Sequence, residues 1–179
     1  MSETLDAALT SWIGSAYRHI NAGRDVLDFS RAGLYGKNRW NAPDEPTLYR
    51  AGDVGVAVAE WGRRFPASYP DASARAVVRD VYRLHLRLDA VLDLRSDRVT
   101  RLLGIAGAPE IFRDMDAARS IAKVVRETSL AQAMLVPSIA FLDDLTRWNL
   151  VLFLDKLPAA RDAWITRVDR VGPLSWKPA

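Results

Sequence analysis

The spacing of apolar residues at the amino terminus predicts a helix. Five apolar positions recur at intervals of three or four residues, which is one face of an amphipathic helix over residues 4–16. These positions are Leu5, Ala8, Leu9, Trp12 and Ile13. A short strand is predicted next, at residues 17–20. Residues 21–41 show no period and contain Gly23, Gly33 and Gly36, so we expect a long loop, and such loops often carry function.

The next two elements are a strand around Leu48 and an amphipathic helix over residues 53–64. Gly52-Asp53 supplies a turn and an N-cap before the helix. Phe65-Pro66 is expected to end it, because proline disfavours helical backbone in the residue before it. Residues 66–73 are rich in turn formers. This part of the chain is therefore predicted to run from loop to strand to helix.

Apolar and polar residues alternate strictly in the middle of the chain. From Tyr82 to Asp89 the pattern has a period of two, which is typical of a half-buried strand in an antiparallel sheet. Residues 91–94 are apolar enough to form a second strand or the continuation of this one. A long strand or a pair of strands is therefore predicted here.

Two helices and three strands complete the predicted elements. A short helix over residues 96–103 is capped by Ser96 and closed by Gly104. A longer helix is predicted from Asp114 or Asp116 to about Thr128. Its inward residues are expected to be Ile121, Val124 and Val125. Further strands are predicted at residues 133–136, 150–154 and 164–168, with Pro158 and Pro173 breaking the tail.

Short strands interleaved with short helices favour an α+β fold over a doubly wound parallel sheet. The strands alternate in polarity, whereas the strands of a parallel sheet covered on both faces are continuously apolar. With 179 residues and 49% hydrophobic content, the chain is long enough to bury a substantial core. A single domain over residues 1–179 is predicted.

Composition excludes several function classes. The sequence has no cysteine, which removes disulfides, thiol catalysis and thiolate metal sites. No segment approaches the roughly 18 consecutive apolar residues of a membrane span, and the acidic start does not resemble a signal peptide, so a cytoplasmic protein is expected. The net charge of +3 comes from 25 basic and 22 acidic residues, which favours a mixed, solvated surface over a nucleic-acid footprint.

Three side chains of different chemistry occur on three successive pieces of residues 37–64. Arg39 is on the loop, Tyr49 on the strand and Glu60 on the helix. A fixed cation, an aromatic face and a carboxylate that converge would suit an anionic, flat, polyhydroxylated ligand such as a dinucleotide. The structural alternatives are a surface arginine, a core tyrosine and an exposed glutamate that pairs with Arg63 or Arg64.

The same stretch resembles the RES-domain family, toxins of bacterial toxin–antitoxin pairs. Arg39-Trp40-Asn41 is followed ten residues after Arg39 by Tyr49, and eleven residues later by Glu60. The second signature of the family appears as Val136-Pro137-Ser138 and Asn149-Leu150-Val151-Leu152-Phe153. Tyr17-Arg18 and the apolar residues 91–94 also agree. The motif-bearing part covers about residues 17–157, with the helical segment 4–16 before it and a strand and tail at 160–179.

The resemblance implies an ADP-ribosyltransferase-like fold, in which two small packed antiparallel or mixed sheets and surrounding short helices frame an NAD cleft. It implies a toxin that degrades NAD at the nicotinamide–ribose bond, with water or inorganic phosphate as acceptor and without a metal. A cognate Xre-type antitoxin would neutralise it in a hetero-oligomeric complex, and DNA would be contacted only through that antitoxin. Two alternatives stay open: ADP-ribosyl transfer to a cellular protein, and a catalytically weak interaction protein within a DNA-binding complex.

The resemblance also suggests roles for individual residues. Glu60 would stabilise the positive charge that develops on the ribose, Arg39 would hold the diphosphate or the adjoining ribose, and Tyr49 would face the nicotinamide ring or bond a ribose oxygen. The residues expected to bind NAD are Arg18, Arg39, Tyr49, Ser138 and Asn149. The structural alternative is a turn hydroxyl for Ser138 and a strand-entry residue for Asn149.

Two positions depart from the family pattern, and two histidines stand apart from it. Asn38 and Asp44 replace glycines, and both residue types tolerate left-handed backbone better than most. Asp44 would also bring a negative charge towards an anion site.

His19 and His85 have no metal-ligand spacing and are interpreted as structural histidines. No Gly-x-Gly-x-x-Gly motif is present, so any NAD site would not be Rossmann-like.

Overall fold

In a computed structural model, which describes residues 4–32, 38–68 and 77–176, six strands form one mixed sheet that closes on itself. The strands are β1 (Thr10–Asn21), β2 (Thr47–Ala51), β3 (Val77–Asp93), β4 (Ala133–Pro137), β5 (Trp148–Phe153) and β6 (Ile165–Trp176). Their order is β1-β2-β5-β4-β3-β6, and β1 also pairs with β3. The first five strands therefore make a ring, and β6 extends it at β3. Only the β3–β4 pairing is parallel.

In the part of the chain that the structure describes, three α-helices and several short 3₁₀ turns surround this sheet. The helices are α1 (Val54–Ser68), α2 (Asp97–Leu102) and α3 (Met115–Thr128). The 3₁₀ turns span Leu5–Ala8, Glu110–Arg113, Leu154–Lys156 and Arg161–Ala163. The predicted α+β class is confirmed. Among the described helices, none is long and apolar enough to cross a bilayer.

The long strand β3 joins the two halves of the sheet. It covers 17 residues, because the alternation predicted at residues 82–89 continues through Val91–Asp93. One edge of β3 pairs with β1, and the other pairs first with β6 and then with β4. Two separate small sheets were expected. The described strands instead form a single hydrogen-bonded sheet, because β3 is long enough to belong to both halves.

Alternation along the strands builds a core on each face of the sheet. In β5, Leu150 and Leu152 point into the ring, where they pack with Leu84 and Leu86 of β3. Val151 and Phe153 point outward and pack under α3. The residues of α3 in this outer core are Ala118, Ala122 and Val125. The strand β5 is therefore buried on both sides, which explains its continuous apolar sequence.

The helix predicted over residues 4–16 is wrong. A 3₁₀ turn covers Leu5–Ala8, and β1 begins at Thr10 and includes the predicted strand at residues 17–20. Eleven positions of β1 pair with β3, and these cross-strand hydrogen bonds outweigh the local period of three to four. Ile13, which completed the apparent helical stripe, is 78% exposed.

Two prolines were expected to break elements that in fact continue through them. The helix α1 runs past Pro66 to Ser68, and Pro173 lies inside β6. In the described sheet β6 is the end strand, and such a strand tolerates a residue without an N–H group. Val124, expected to point inward, is 46% exposed. The predicted breaks at Gly33 and Gly36, and residues 69–73 of the turn-rich segment, lie outside the described residues.

The start of α3 depends on the side chain of Asp114. Its Oδ1 accepts hydrogen bonds from the backbone N–H groups of Asp116 at 2.8 Å and Ala117 at 2.9 Å. These donors belong to the first turn, where the helix itself offers no acceptor. Asp114 is thus the N-cap that holds α3 in place over the outer core.

Replacing this cap tests its contribution. We expect Asp114→Ala to lower the free energy of unfolding by about 1 kcal/mol, measured by urea denaturation. The control is Asp116→Ala, whose side chain is 95% exposed and which should cost less than about 0.5 kcal/mol. Equal losses in the two variants would contradict the assigned cap.

Candidate functional site

A cavity opens where β1 and β2 separate. In the described residues these strands pair at one position, Tyr17 opposite Ala51, and beyond it they diverge. The space between them has a volume of about 390 Å³, which lies within the roughly 300–1,000 Å³ of small-molecule sites. Its walls come from β1, β2, β5, α1 and the loop that ends at Trp40.

Five of the six predicted site residues line this one cavity. They are Arg18, Arg39, Tyr49, Glu60 and Asn149. The cation, the ring and the acid that lie on separate pieces of sequence therefore meet, as expected. Ser138 is not among the lining residues.

Glu60 is held in position by three hydrogen-bond donors. Its Oε1 accepts from Ser138 Oγ at 2.6 Å, from Asn149 Nδ2 at 3.2 Å and from the backbone N–H of Ala140 at 3.4 Å. The helix α1 aims it there because Val56 and Ala57, one turn earlier, pack against the end of β2. All three donors are neutral and reach the same oxygen. Glu60 itself lines the cavity.

The interpretation of Glu60 as an exposed helix residue is not supported. In the described part of the chain Glu60 forms no ion pair with Arg63, which is exposed. The other suggested partner, the side chain of Arg64, lies outside the described residues. The carboxylate is instead oriented from β4 and β5.

Ser138 acts on Glu60 from behind the cavity wall. It is fully buried, its N–H donates to the carbonyl of Arg147 at 2.8 Å, and its hydroxyl donates to Glu60. Direct contact with a ligand in the cavity was expected, but Ser138 is not among the lining residues and its hydroxyl contacts Glu60 instead. Asn149 lines the cavity and also donates to Glu60.

The hydroxyl of Tyr49 holds the loop that carries Arg39. It donates to Asn41 Oδ1 at 2.7 Å and accepts from the backbone N–H of Trp40 at 3.0 Å. The suggested hydrogen bond from this hydroxyl to a ribose would compete with both. Tyr49 still lines the cavity with its ring, so an aromatic surface is what it presents.

Arg39 is anchored at the end of a 3₁₀ turn. Its Nη1 donates to the carbonyl oxygens of Phe112 at 2.8 Å and Arg113 at 2.7 Å, which have no partner within that turn. The adjacent Trp40 is buried against Phe112, with ring centroids 5.4 Å apart. These contacts fix the guanidinium at the cavity wall.

Positive charge exceeds negative charge around the cavity. Among its described lining residues there are four arginines and two carboxylates, an excess of two. The arginines are Arg18, Arg31, Arg39 and Arg50, and the carboxylates are Asp28 and Glu60. A partly enclosed cavity with this imbalance attracts anions, because its low-dielectric walls focus the field.

His19 stays neutral in this cationic surrounding. Burial, followed by the charges of Arg79 and Arg18, lowers its pKa from 6.5 to about 4. Its ring lies 5.2 Å from that of Trp61, and both residues line the cavity. At neutral pH they present uncharged aromatic surface.

Arg50, His19 and Trp61 were missed as cavity residues. The available signal was a charged residue inside the short strand Thr47-Leu48-Tyr49-Arg50-Ala51, where period two places Arg50 opposite in direction to Tyr49. A charged residue in a short strand is either exposed to solvent or buried for a functional reason. Only the closed ring of strands shows that Arg50 is buried.

The two departures from the family pattern have different outcomes. Asp44 adopts φ 66°, so it takes the left-handed backbone for which glycine is usual. It is exposed and not among the cavity-lining residues, so its charge does not enter the site. Asn38 lines the cavity and is not in that conformation.

His85 is satisfied by two partners on the outer face of the sheet. Its Nδ1 lies 3.1 Å from Ser15 Oγ, and its Nε2 lies 2.9 Å from Asp169 Oδ2. Neither of these partners nor His85 lines the cavity. The interpretation of His85 as a structural histidine fits these contacts.

Comparison with known proteins identifies the family of this chain and a similar fold. The sequence model of the RES domain matches residues 15–177. A chain in the crystal structure of the M. tuberculosis MbcT–MbcA toxin–antitoxin complex is similar in structure, with a TM-score of 0.64 over 97% of this chain and 90% of that chain. The two sequences are 19% identical, so this likeness shows the fold alone. None of the curated proteins matches the sequence.

The low pKa of His19 predicts a pH dependence of stability. Between pH 6.5 and about 4 the unfolded chain binds the His19 proton and the folded chain does not, so stability falls as pH decreases through this window. The loss attributable to His19 is at most about 3 kcal/mol. His19→Gln should remove it from the urea-denaturation curves. An NMR titration that places the pKa of His19 near 6.5 would contradict this prediction.

The tie between Tyr49 and the loop predicts the effect of Tyr49→Phe. Loss of the hydroxyl leaves buried Asn41 Oδ1 without its donor and should cost about 1–3 kcal/mol of stability. Hydrogen exchange at the Trp40 amide should accelerate. The control is Tyr82→Phe, whose hydroxyl interacts with the half-exposed Arg170. If the Trp40 amide is as well protected from hydrogen exchange in Tyr49→Phe as in the wild type, the proposed role of the Tyr49 hydroxyl in holding the loop is refuted.

Proposed function

The chain belongs to the RES domain family, and from this premise we propose that it is a toxin that degrades NAD by cleaving the nicotinamide–ribose bond. The observation that carries the proposal is a carboxylate, Glu60, held by neutral donors at the wall of a cavity with excess positive charge. Water or inorganic phosphate would accept the ADP-ribosyl group.

The reaction makes a specific demand on the protein. Nicotinamide leaves from a cationic ring as a neutral amine, so no strong general acid is required. The ribose passes through an oxocarbenium-like state and gains positive charge, as sugars do in glycoside hydrolysis. A fixed negative charge beside the ribose therefore lowers the barrier, because its attraction to the ribose is stronger in the transition state than in the ground state.

Glu60 meets this demand. Three neutral donors fix its Oε1, so the carboxylate needs no reorientation during the reaction. Its Oε2 would face the ribose or hold one of its hydroxyls. Ser138 and Asn149 would act as positioning residues, since each orients Glu60, and Asn149 also lines the cavity.

The remaining lining residues suit the other parts of a dinucleotide. Arg39 and Arg18 would attract the diphosphate, and the ring of Tyr49 would face the nicotinamide, whose positive charge favours an aromatic surface. No step of this proposal uses a metal ion. Among the described residues no group of three or more histidines and acids could hold one.

A cognate antitoxin would control this activity. The structural neighbour is described as a toxin–antitoxin complex, and by analogy we propose an Xre-type antitoxin that covers the cavity in a hetero-oligomer. A cavity with an excess of two positive charges would accept an acidic segment. Any contact with DNA would then be made through the antitoxin. A toxin that consumes NAD would act in the cytoplasm.

Replacement of Glu60 tests the proposed chemistry. We expect Glu60→Gln to lower the turnover of NAD by purified protein about 100- to 1,000-fold and to prevent the fall of cellular NAD on induction. Ser138→Ala should give a smaller loss, mainly in kcat, because it frees the carboxylate without removing it. Glu127→Gln, an exposed helix glutamate, is the matched control.

The products identify the acceptor. Free ADP-ribose indicates water, ADP-ribose phosphate indicates inorganic phosphate, and a labelled protein adduct indicates ADP-ribosyl transfer. Intact NAD after incubation with antitoxin-free wild-type protein, together with equal growth on induction of wild type and Glu60→Gln, would refute the proposed function.

A further inference from the structure

Arg50 is a buried cation that forms no ion pair with a carboxylate of the described residues. It is 2% exposed and lies in the middle of β2, opposite Leu150, on the side of the strand that packs into the ring. Its Nη1 donates to the carbonyl of Tyr49 at 2.8 Å. Its Nε and Nη2 are buried, and in the described part of the chain neither has a hydrogen-bond partner.

The surroundings of Arg50 do not compensate its charge. Burial, followed by the like charge of Arg18, lowers the pKa of Arg50 well below its ordinary value. The guanidinium carbons of Arg18 and Arg50 each lie 5.6 Å from the centroid of the Phe29 ring. A cation–π contact offsets only part of the desolvation of a buried guanidinium.

The two unpartnered N–H groups have a useful geometry. Nε–H and Nη2–H point from the same edge of the planar guanidinium. Together these two donors can bind two oxygens of one phosphate or carboxylate group side by side. Arg39, by contrast, already uses its Nη1 on two backbone carbonyls. Arg50 and Arg18 both line the cavity, so a single ligand that fills it can contact both residues.

We propose that Arg50, assisted by Arg18, forms a buried oxyanion subsite of the cavity and binds the phosphoryl oxygens of a ligand. Unsatisfied buried donors are costly, and in native proteins they concentrate where a ligand completes them. The proposed function suggests that the ligand group is the diphosphate of NAD. Free inorganic phosphate has the same chemistry, and the experiment separates the two sources.

Calorimetric titration with ADP, inorganic phosphate and adenosine tests the subsite. We expect Arg50→Met to weaken ADP binding about 10- to 100-fold and to leave adenosine binding unchanged. The matched control is Arg161→Met. Arg161 also lies over the Phe29 ring, at 5.3 Å, but it is exposed and not among the cavity-lining residues. The Arg161→Met variant should bind ADP like the wild type.

The two sources of the oxyanion give different titrations. If the diphosphate of a nucleotide occupies the subsite, ADP binds in an Arg50-dependent manner and inorganic phosphate does not compete with it. If free phosphate occupies it, phosphate alone binds, loses affinity in Arg50→Met and competes with ADP. Either result supports the subsite. Equal ADP and phosphate affinities in wild type and Arg50→Met would overturn it.

Thermal unfolding separates binding from a structural role. Without ligand, Arg50→Met should melt at or above the wild-type temperature, because methionine removes a buried charge that has no counter-ion. ADP should raise the melting temperature of the wild type but not that of the variant. A variant that melts lower and still gains the wild-type shift from ADP would assign Arg50 to structure and overturn the proposal.

Two further measurements keep the proposal testable on its own. If Arg50→Met does not fold, Arg50→Gln replaces it, and a wild type that neither ADP nor phosphate stabilises would overturn the subsite. Glu60→Gln should bind ADP like the wild type. If wild-type protein leaves NAD intact while ADP binding depends on Arg50, the proposed function fails and the subsite stands. If wild-type protein cleaves NAD while ADP binding does not depend on Arg50, the subsite fails and the proposed function stands.

Discussion

The limited pairing between β1 and β2 determines where this fold can bind a ligand. The ring is closed by eleven paired positions between β1 and β3 and five between β2 and β5, whereas β1 and β2 share one pair in the described residues. Elsewhere the interior is filled by leucines in contact. Where β1 and β2 separate, the side chains that line the gap include four arginines, several aromatic rings and two carboxylates. The cavity is thus a consequence of incomplete closure.

Local patterns predicted the elements whose own residues carry the signal. The alternation at Tyr82–Asp89, the helix start at Asp114 or Asp116 and the amphipathic helix after Asp53 are confirmed, because the period or the first residue of each can be recognised within a few residues. The amino-terminal segment failed for the opposite reason. Its partner, β3, lies about seventy residues away along the chain, and long-range pairing has no signature in the local period.

The motif spacing brought Arg39, Tyr49 and Glu60 to one cavity, but it could not assign their hydrogen bonds. The hydroxyl of Tyr49 is used by the loop, Arg39 is anchored on carbonyls of a turn, and Ser138 reaches Glu60 instead of the cavity. These outcomes depend on which partner each group meets after folding. Arg50 could not be found for the same reason: whether a charged strand residue is buried depends on ring closure.

The acid and two of the arginines of this cavity are held by neutral hydrogen-bond partners in the described part of the chain. Glu60 is held by a hydroxyl, an amide and a backbone N–H, whereas Arg39 and Arg50 donate to backbone carbonyls. A Glu60–arginine ion pair would cancel much of both charges and leave less field for a ligand. Under the proposed function, the acid would serve the cationic transition state and the guanidinium groups would serve the anionic part of the ligand. This division would suit a molecule that carries both charges.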